Sequence, residues 1–567
     1  MTSCRIRFMN VVKKLVASVV FTWVCSIASP LFGQTESVRP RVTPTPKVTP
    51  QLTPPPKPSP SVSPSPIVSA TPVPLPVQSL DSLQSKIRQR MFATEVLRGR
   101  IGIKIVSLNS GKVIFENDSD KYFMPASNMK NFTVATAMEK LGPDFRFVTS
   151  VFAGAMPDAT GTIKGDLRIF GRGDVSISTA FNNGDYYKGL DNLVDKIVAA
   201  GVKRIDGSIV GDESYFKGNA IPATWEWDDL QSYYGAEISA LPLNDNAVDI
   251  SVQPGLAGYD CLINVSPENK LMWIENRCTT TKKSVPGSLK VTKKLNQNVL
   301  QIAGTMAEGD RNYRSSIAIT HPADLFVAML KQRLELKGIT VTGNTHTLPP
   351  GNVILSPQVE LTRLESPPFS VVAAKTMKPS QNMYTETILW TLGEQSRLAI
   401  AATGSPSSQS AGSGPVTPTT PDSSELGLRV VKNFLGSIGI PNDGILQYDG
   451  SGLSRHDLIT PSAVVTLYTY MAKQSKNAQP WRDSLTIGGV DGTLANRFKG
   501  TAAQGNMRGK TGTIDQVSAL SGYVTTAGGE QVVISIVVNG VAIGSMRTAL
   551  IDDIVVNLAN YNGKIDQ

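Results

Sequence analysis

Met124-Pro125-Ala126-Ser127-Asn128-Met129-Lys130 is the stretch on which the reading of this chain turns. The run that follows, Asn128 to Leu141, has helical apolar spacing. Ser127 therefore falls in the first turn of a helix, with Lys130 one turn further on the same face. Free backbone N–H groups and the helix dipole at such a turn favour developing negative charge. Taken alone, Ser-x-x-Lys also describes an N-cap serine followed by a surface lysine, so the pattern needs company.

Two further segments supply it. Ser380-Gln381-Asn382 opens the helical run Met383 to Glu394, after Lys378-Pro379. Lys510-Thr511-Gly512-Thr513 leads directly into a strand beginning at Val517. Each is weak by itself. The three in this order, each on the expected element, are a strong signal. The surroundings supply a sheet. Ile101–Ser107 and Lys112–Glu116 flank Asn109-Ser110-Gly111 as a hairpin, and Val517–Thr525 with Gln531–Asn539 form a second. Gly544 to Asn560 reads as a closing helix. Strands at both ends of the chain predict one sheet built from both termini, formed by residues 80–150 and 360–567. Residues 151–359, rich in strand-like pieces, are expected to be inserted accessory domains.

The ordered trio resembles the signature of class A β-lactamases and penicillin-binding proteins. Ser127 and Ser380 are 253 residues apart, which resembles the class C penicillin-binding D-alanyl-D-alanine carboxypeptidases/endopeptidases, peptidase family S13, where extra domains occupy that gap. Gly171-Arg172-Gly173-Asp174, Trp225-Glu226-Trp227-Asp228-Asp229, Leu243-Asn244-Asp245-Asn246, Asp449-Gly450-Ser451-Gly452-Leu453-Ser454-Arg455 and Gly492-Thr493-Leu494 continue the likeness, from about Leu80 to the C-terminus. Val175, where that family usually has Pro, and Gln381 depart from it. The resemblance implies an α/β (α+β) fold: a three-layer serine β-lactamase/transpeptidase-like domain with a central antiparallel sheet, and mostly β domains inserted between the first and second motifs.

It also implies a mechanism. Ser127 attacks the scissile D-alanine carbonyl, and neutral Lys130, its pKa lowered by burial and by Lys510, takes the proton. Ser380 and Asn382 relay the proton to the leaving amine. Lys510 and Thr511, in the motif completed by Gly512, hold the substrate carboxylate. Backbone N–H groups of Ser127 and Thr513 form the oxyanion hole. For the substrate side chain, Arg455 is the expected carboxylate ligand and Asp212 the amine ligand, with Phe216 packing the stem. Asp515 stands where related enzymes often carry Gln. The competing reading makes Arg455 and Asp212 a structural ion pair. Peptidoglycan peptides are the implied partners, β-lactams the implied covalent inhibitors, and no cofactor is implied. A β-lactamase, distinguished by fast deacylation, and a non-catalytic wall-binding protein are the alternatives on the same fold.

Composition fits an exported globular protein of two or three domains. Arg5, Arg7, Lys13 and Lys14 precede the apolar stretch Leu15 to Ile27, and Ser26-Ile27-Ala28 resembles a cleavage site. Residues 1–28 thus read as a signal peptide, with an uncleaved anchor as the other possibility and the periplasm or cell envelope as the destination. Without those four cations the formal charge falls from +9 to +5, and no basic run with interleaved aromatics speaks for nucleic acid. Cys4 and Cys25 leave with the signal, so Cys261 and Cys278 are expected to form a disulfide. Three scattered histidines give no metal site. His456 next to Asp457 lacks a Gly-x-Ser-x-Gly elbow and reads as structural. Residues 29–79 form a linker, with 14 prolines between Pro40 and Pro76. Thr403 to Glu425, rich in Ser, Gly, Pro and Thr, reads as a disordered loop.

Overall fold

Gln531–Asn539 shows how two hydrophobic cores are divided. Its side chains alternate between faces, as any strand's do. Val532, Ile534, Ile536 and Val538 join one core with Leu83 and Ile87 of the helix Leu80–Met91 and Ile551 and Val555 of the helix Gly544–Ala559. Val533 and Val537 join the other, with Phe132 and Met138 of the helix Lys130–Lys140 and Leu467 and Tyr468 of the helix Pro461–Lys473. Burial on both faces explains a strand that is apolar almost throughout.

In this computed structural model, which describes residues 76–348, 358–403 and 421–565, the strand is central to a six-stranded sheet. The order is Thr486–Ile487, Arg508–Ile514, Val517–Thr525, Gln531–Asn539, Arg100–Ser107, Val113–Asn117, and every pairing is antiparallel. Ile103 sits opposite Ile536, so the first and last parts of the chain share one sheet. Helices cover both faces, giving three layers. The expected signal segment, residues 29–75 of the linker and residues 404–420 lie outside the described residues. Among those described, no helix is long and apolar enough to cross a membrane.

The inserted body leaves along Val148–Ala153 and returns along Val359–Glu365, which pair antiparallel in a five-stranded sheet. That return strand straddles the expected boundary at residue 360 and belongs to the insertion. Three three-stranded sheets and the helices Lys188–Ala199 and Pro322–Leu336 complete it. Cys261 and Cys278 form a disulfide there, with Cα atoms 5.3 Å apart, a constraint worth roughly 3 kcal/mol for a loop of this size.

Two expectations change at the low-complexity run. The helix that starts at Asn382 continues to Thr403, well past Glu394. At the other end, Asp422 caps the helix Ser423–Ser437 by accepting the Glu425 N–H at 2.7 Å. Ser423 Oγ donates to Glu394 and accepts the Lys217 N–H. Asp422 to Glu425 is thus folded, because Asp-Ser-Ser-Glu is a helix start despite its polar composition.

Ile534→Ala is expected to destabilise the domain holding the six-stranded sheet by about 2–5 kcal/mol, as for other fully buried large-to-small changes. Urea unfolding followed by tryptophan fluorescence measures it.

Candidate active site

Ser127 lies in a 3-10 turn, Ala126–Met129, that runs straight into the helix Lys130–Lys140. Two glycines from distant segments press on this turn. A Cβ on Gly512 would meet the Pro125 carbonyl oxygen at 2.3 Å, and one on Gly452 would meet the Ala126 oxygen at 1.9 Å. Only glycine lets both segments approach so closely. Ala126 itself is held at φ +48°, an unfavourable angle for a residue with a side chain. Asn128, fully buried, donates to the Lys510 carbonyl at 3.0 Å and accepts from Ser521. The nucleophile turn is therefore bolted to the strand that carries the third motif.

Lys130 is fully buried. Its Nζ lies 2.9 Å from Ser127 Oγ, 2.5 Å from Asn382 Oδ1 and 2.8 Å from the Ser451 carbonyl oxygen. Burial pulls its pKa down to about 7, against the upward pull of Asp449, Glu386 and Asp457. A neutral amine has two N–H bonds and one lone pair. Asn382 Oδ1 and the Ser451 carbonyl only accept, so they take the two hydrogens and leave the lone pair for the Ser127 hydroxyl. The Asn382 amide is oriented by its own Nδ2, which donates to the Tyr234 carbonyl at 2.9 Å.

Lys510 is buried as well and donates to Ser380 Oγ and to the Thr511 carbonyl, both at 2.8 Å. Its pKa is pushed well down, first by burial and then by Lys130. The expected crowding is thus felt at Lys510, whereas for Lys130 burial alone accounts for the lowering. Ser380 sits at φ +67° just before the helix. Thr511 Oγ1 is 2.7 Å from Thr493 Oγ1, so the Gly492-Thr493-Leu494 segment sets the Thr511 hydroxyl. Thr513 follows on the same strand, Arg508–Ile514, beside the nucleophile turn.

The other expected ligands fall elsewhere. Asp212 is fully buried, with its carboxylate taken by Arg168 at 2.6 Å and by the Ser214 N–H at 2.8 Å. Phe216 is buried edge-on against Trp390, with ring centroids 5.5 Å apart. Neither offers a surface to a substrate amine, and Asp212 pairs with Arg168 rather than Arg455. Both were misplaced because acid and aromatic near a strand end look the same whether they face a groove or a core. Arg455 meets Glu226 at 3.0 Å and reaches the turn at Asp515, whose carbonyl is 3.3 Å away. The Asp515 carboxylate, almost fully exposed, is 3.9 Å from the guanidinium. Asp229 stands near this group, its pKa raised to about 6 by burial, then by Asp228 and Glu226. His456 packs edge-on against Tyr448, while Asp457 accepts the Tyr448 N–H, so the two form no catalytic pair.

Two buried lysines, one of them held between two acceptors beside a serine, and a three-layer fold define a serine acyl-transferase of the penicillin-recognising kind. The chain belongs to the D-Ala-D-Ala carboxypeptidase 3 (S13) family, matching it over residues 83–413 and 413–561. It is 31% identical over 475 residues to a D-alanyl-D-alanine carboxypeptidase of Actinomadura sp. (strain R39), covering 82% of this chain and 81% of that protein. Against the D-alanyl-D-alanine carboxypeptidase DacB of Haemophilus influenzae it is 25% identical over 458 residues, covering 79% and 87%. The crystal structure of penicillin binding protein 4 from Haemophilus influenzae shares the fold, with a TM-score of 0.69 and 23% identity over 84% of this chain and 99% of that one.

Lys130→Arg keeps a cation that does not deprotonate in the useful range, so labelling by penicillin should slow by orders of magnitude. In the unaltered protein the labelling rate should climb as pH rises through about 7, where Lys130 loses its proton. Gly512→Ala should slow labelling by roughly 10²-fold, by pushing the third strand away from Ser127. Stopped-flow acylation across pH 5.5 to 9 reads all three.

Proposed function

We propose that this protein hydrolyses the D-alanyl peptide bonds of peptidoglycan stems and cross-links through an acyl-enzyme on Ser127, acting as carboxypeptidase, endopeptidase or both. The observation that carries this is the placement of the Lys130 amine, 2.9 Å from Ser127 Oγ with two other acceptors claiming its hydrogens. Ser127 Oγ attacks the carbonyl of the penultimate D-alanine as its proton passes to Lys130. The tetrahedral oxyanion collects the N–H groups of Ser127 and Thr513. On collapse the C–N bond breaks and the leaving amine takes, by way of Ser380, the proton that Lys130 accepted, so that Lys130 is neutral again; Lys510 holds Ser380 by a hydrogen bond. Thr511 and Lys510 face the terminal carboxylate. Water then attacks the ester, with Lys130 again the base, and releases the shortened peptide.

A β-lactam enters the same site through its ring carbonyl and leaves a slow ester on Ser127. The leader-like sequence Leu15 to Ile27 and a wall substrate both support a location in the periplasm or envelope. The stem side chain is read at the rim by Arg455, which a substrate carboxylate can approach bidentately, while Glu226 beside it suits an amine. Asp515 lends that rim a further negative charge.

Labelled penicillin should attach to one peptide, the one containing Ser127, and Ser127→Ala should abolish the label in a folded protein. Attachment at another serine would end the proposal. Incubation with cross-linked muropeptides followed by mass spectrometry separates the leaving groups. Arg455→Ala should lose activity on full muropeptides by roughly 1.5–3 kcal/mol, the range for a charged hydrogen bond, and spare bare acyl-D-Ala-D-Ala. Equal loss on both substrates would remove Arg455 from recognition.

A further inference from the structure

Next to Lys130, around Asp449, lies a buried construction that the reaction scheme leaves unused. Asp449 is almost fully buried and accepts four N–H groups. These come from the backbone of Ser451 at 3.0 Å, Gly452 at 2.6 Å and Ser454 at 2.8 Å, and from the Trp225 indole at 2.8 Å. The chain from Asp449 to Ser454 is thereby wrapped around one carboxylate, and that wrapping aims the Ser451 carbonyl at Lys130 Nζ. Glu386 holds the same loop from the other side. Both of its oxygens accept the Gly450 N–H, at 3.0 and 2.9 Å.

Glu386 also lies four residues after Asn382 on one helix, so the two side chains share a face. One helix face thus supplies both restraints on the amine: Asn382 directly, and Glu386 through the loop and the Ser451 carbonyl. Asp457 completes the group, accepting the Tyr448 N–H at 2.7 Å on the chain entering the loop.

We propose that Asp449 and Glu386 are positioning residues that fix the Ser451 carbonyl as an obligatory acceptor for Lys130, so that the amine lone pair is held toward Ser127. The inference rests on Lys130 being the base. Its physical content is directional. Without a fixed second acceptor the amine rotates, and an N–H in place of the lone pair then meets the serine oxygen. The charged and titratable groups facing Lys130 are Asp449 and Asp457 from the loop, Glu386 from the Asn382–Thr403 helix, and Lys510 from its strand. Burial, then Asp449, raises the Glu386 pKa, and burial, then Asp449, raises that of Asp457. Repulsion from Asp449 thus favours the protonated form of both neighbours, and the field of Asp449 favours the protonated form of Lys130.

The test is the second-order rate of penicillin acylation as a function of pH for Asp449→Asn, Glu386→Leu and Glu386→Gln, with melting temperature recorded for each. Asp449→Asn should slow acylation at least tenfold and shift the ascending limb to lower pH, because an anion that favours the Lys130 proton is gone. The limb shift reports the lost charge, and the positioning role is read from the Leu and Gln pair at 386. Glu386→Leu, lacking an acceptor for Gly450, should slow it comparably, and Glu386→Gln, which keeps one, should recover at least tenfold of that loss. Wild-type rates in Asp449→Asn and Glu386→Leu, or slow rates with an unmoved limb and no recovery by Gln, overturn the proposal. Should Asp449→Asn fail to fold, the Leu and Gln pair decides. Lys130→Arg separates the two levels. Normal labelling of that variant defeats the base assignment itself, whereas its loss alongside normal Asp449→Asn and Glu386→Leu defeats only the positioning role.

Discussion

The burial of two amines governs this molecule. Water is what ordinarily stabilises an ammonium group, and Lys130 and Lys510 are both removed from it. Their hydrogen bonds run to neutral oxygens: a serine hydroxyl, an amide and a backbone carbonyl for Lys130, and a hydroxyl and a carbonyl for Lys510. The acidic groups Asp449, Glu386 and Asp457 pull the Lys130 pKa upward from beyond these oxygens. Burial outweighs that pull and favours the uncharged base, but the arrangement tolerates little slack, because the oxygens come from three distant segments, around Ser127, around Ser380 and Asn382, and around Ser451, besides the Lys510 strand itself. The sheet built from both termini, the glycines at 452 and 512 and the buried Asn128 all serve to bring those parts together.

The inserted body takes part in this as well. Its Tyr234 carbonyl sets the orientation of the Asn382 amide, and its Trp225 indole is one of the four donors around Asp449. Glu226, next to that tryptophan, meets Arg455 at the rim. The segment from 225 to 234 thus acts on Lys130 through Asn382 and Asp449, and meets Arg455 directly. An insertion between the first two motifs is here part of the catalytic unit.

Much of this was legible in the sequence, for reasons that differ from element to element. The hairpin Val517–Thr525 with Gln531–Asn539 was readable to the residue because apolar runs end at Ala527-Gly528-Gly529, where the turn chemistry is unambiguous. Ser127, Lys130, Ser380, Asn382 and Lys510 were readable as a trio of local motifs; in the structure Lys130 is hydrogen-bonded to Ser127 and Asn382, and Lys510 to Ser380. Asp449, Glu386 and the Ser451 carbonyl escaped notice as a holder for Lys130. Backbone oxygens leave no mark in a sequence, and an Asp that binds its own loop looks like any Asp before Gly. Asp212 and Phe216 failed for a related reason, since partners such as Arg168 and Trp390 are set by tertiary packing. The start of the Ser423–Ser437 helix was hidden in polar composition, though Asp422 and Glu425 carried a capping signal.

The pairing of Arg100–Ser107 with Gln531–Asn539 has a consequence for the order of events during biosynthesis. The nucleophile turn is made early, more than three hundred residues before the strand bearing Lys510. Its supporting strand Arg100–Ser107 has no native neighbour on that side until Gln531–Asn539 has been synthesised. Contacts of such long sequence separation form late and slowly. A nascent chain therefore carries Ser127 without the buried lysine opposite it, and a hydrolase that attacks a structural polymer stays inert until its final strand is in place.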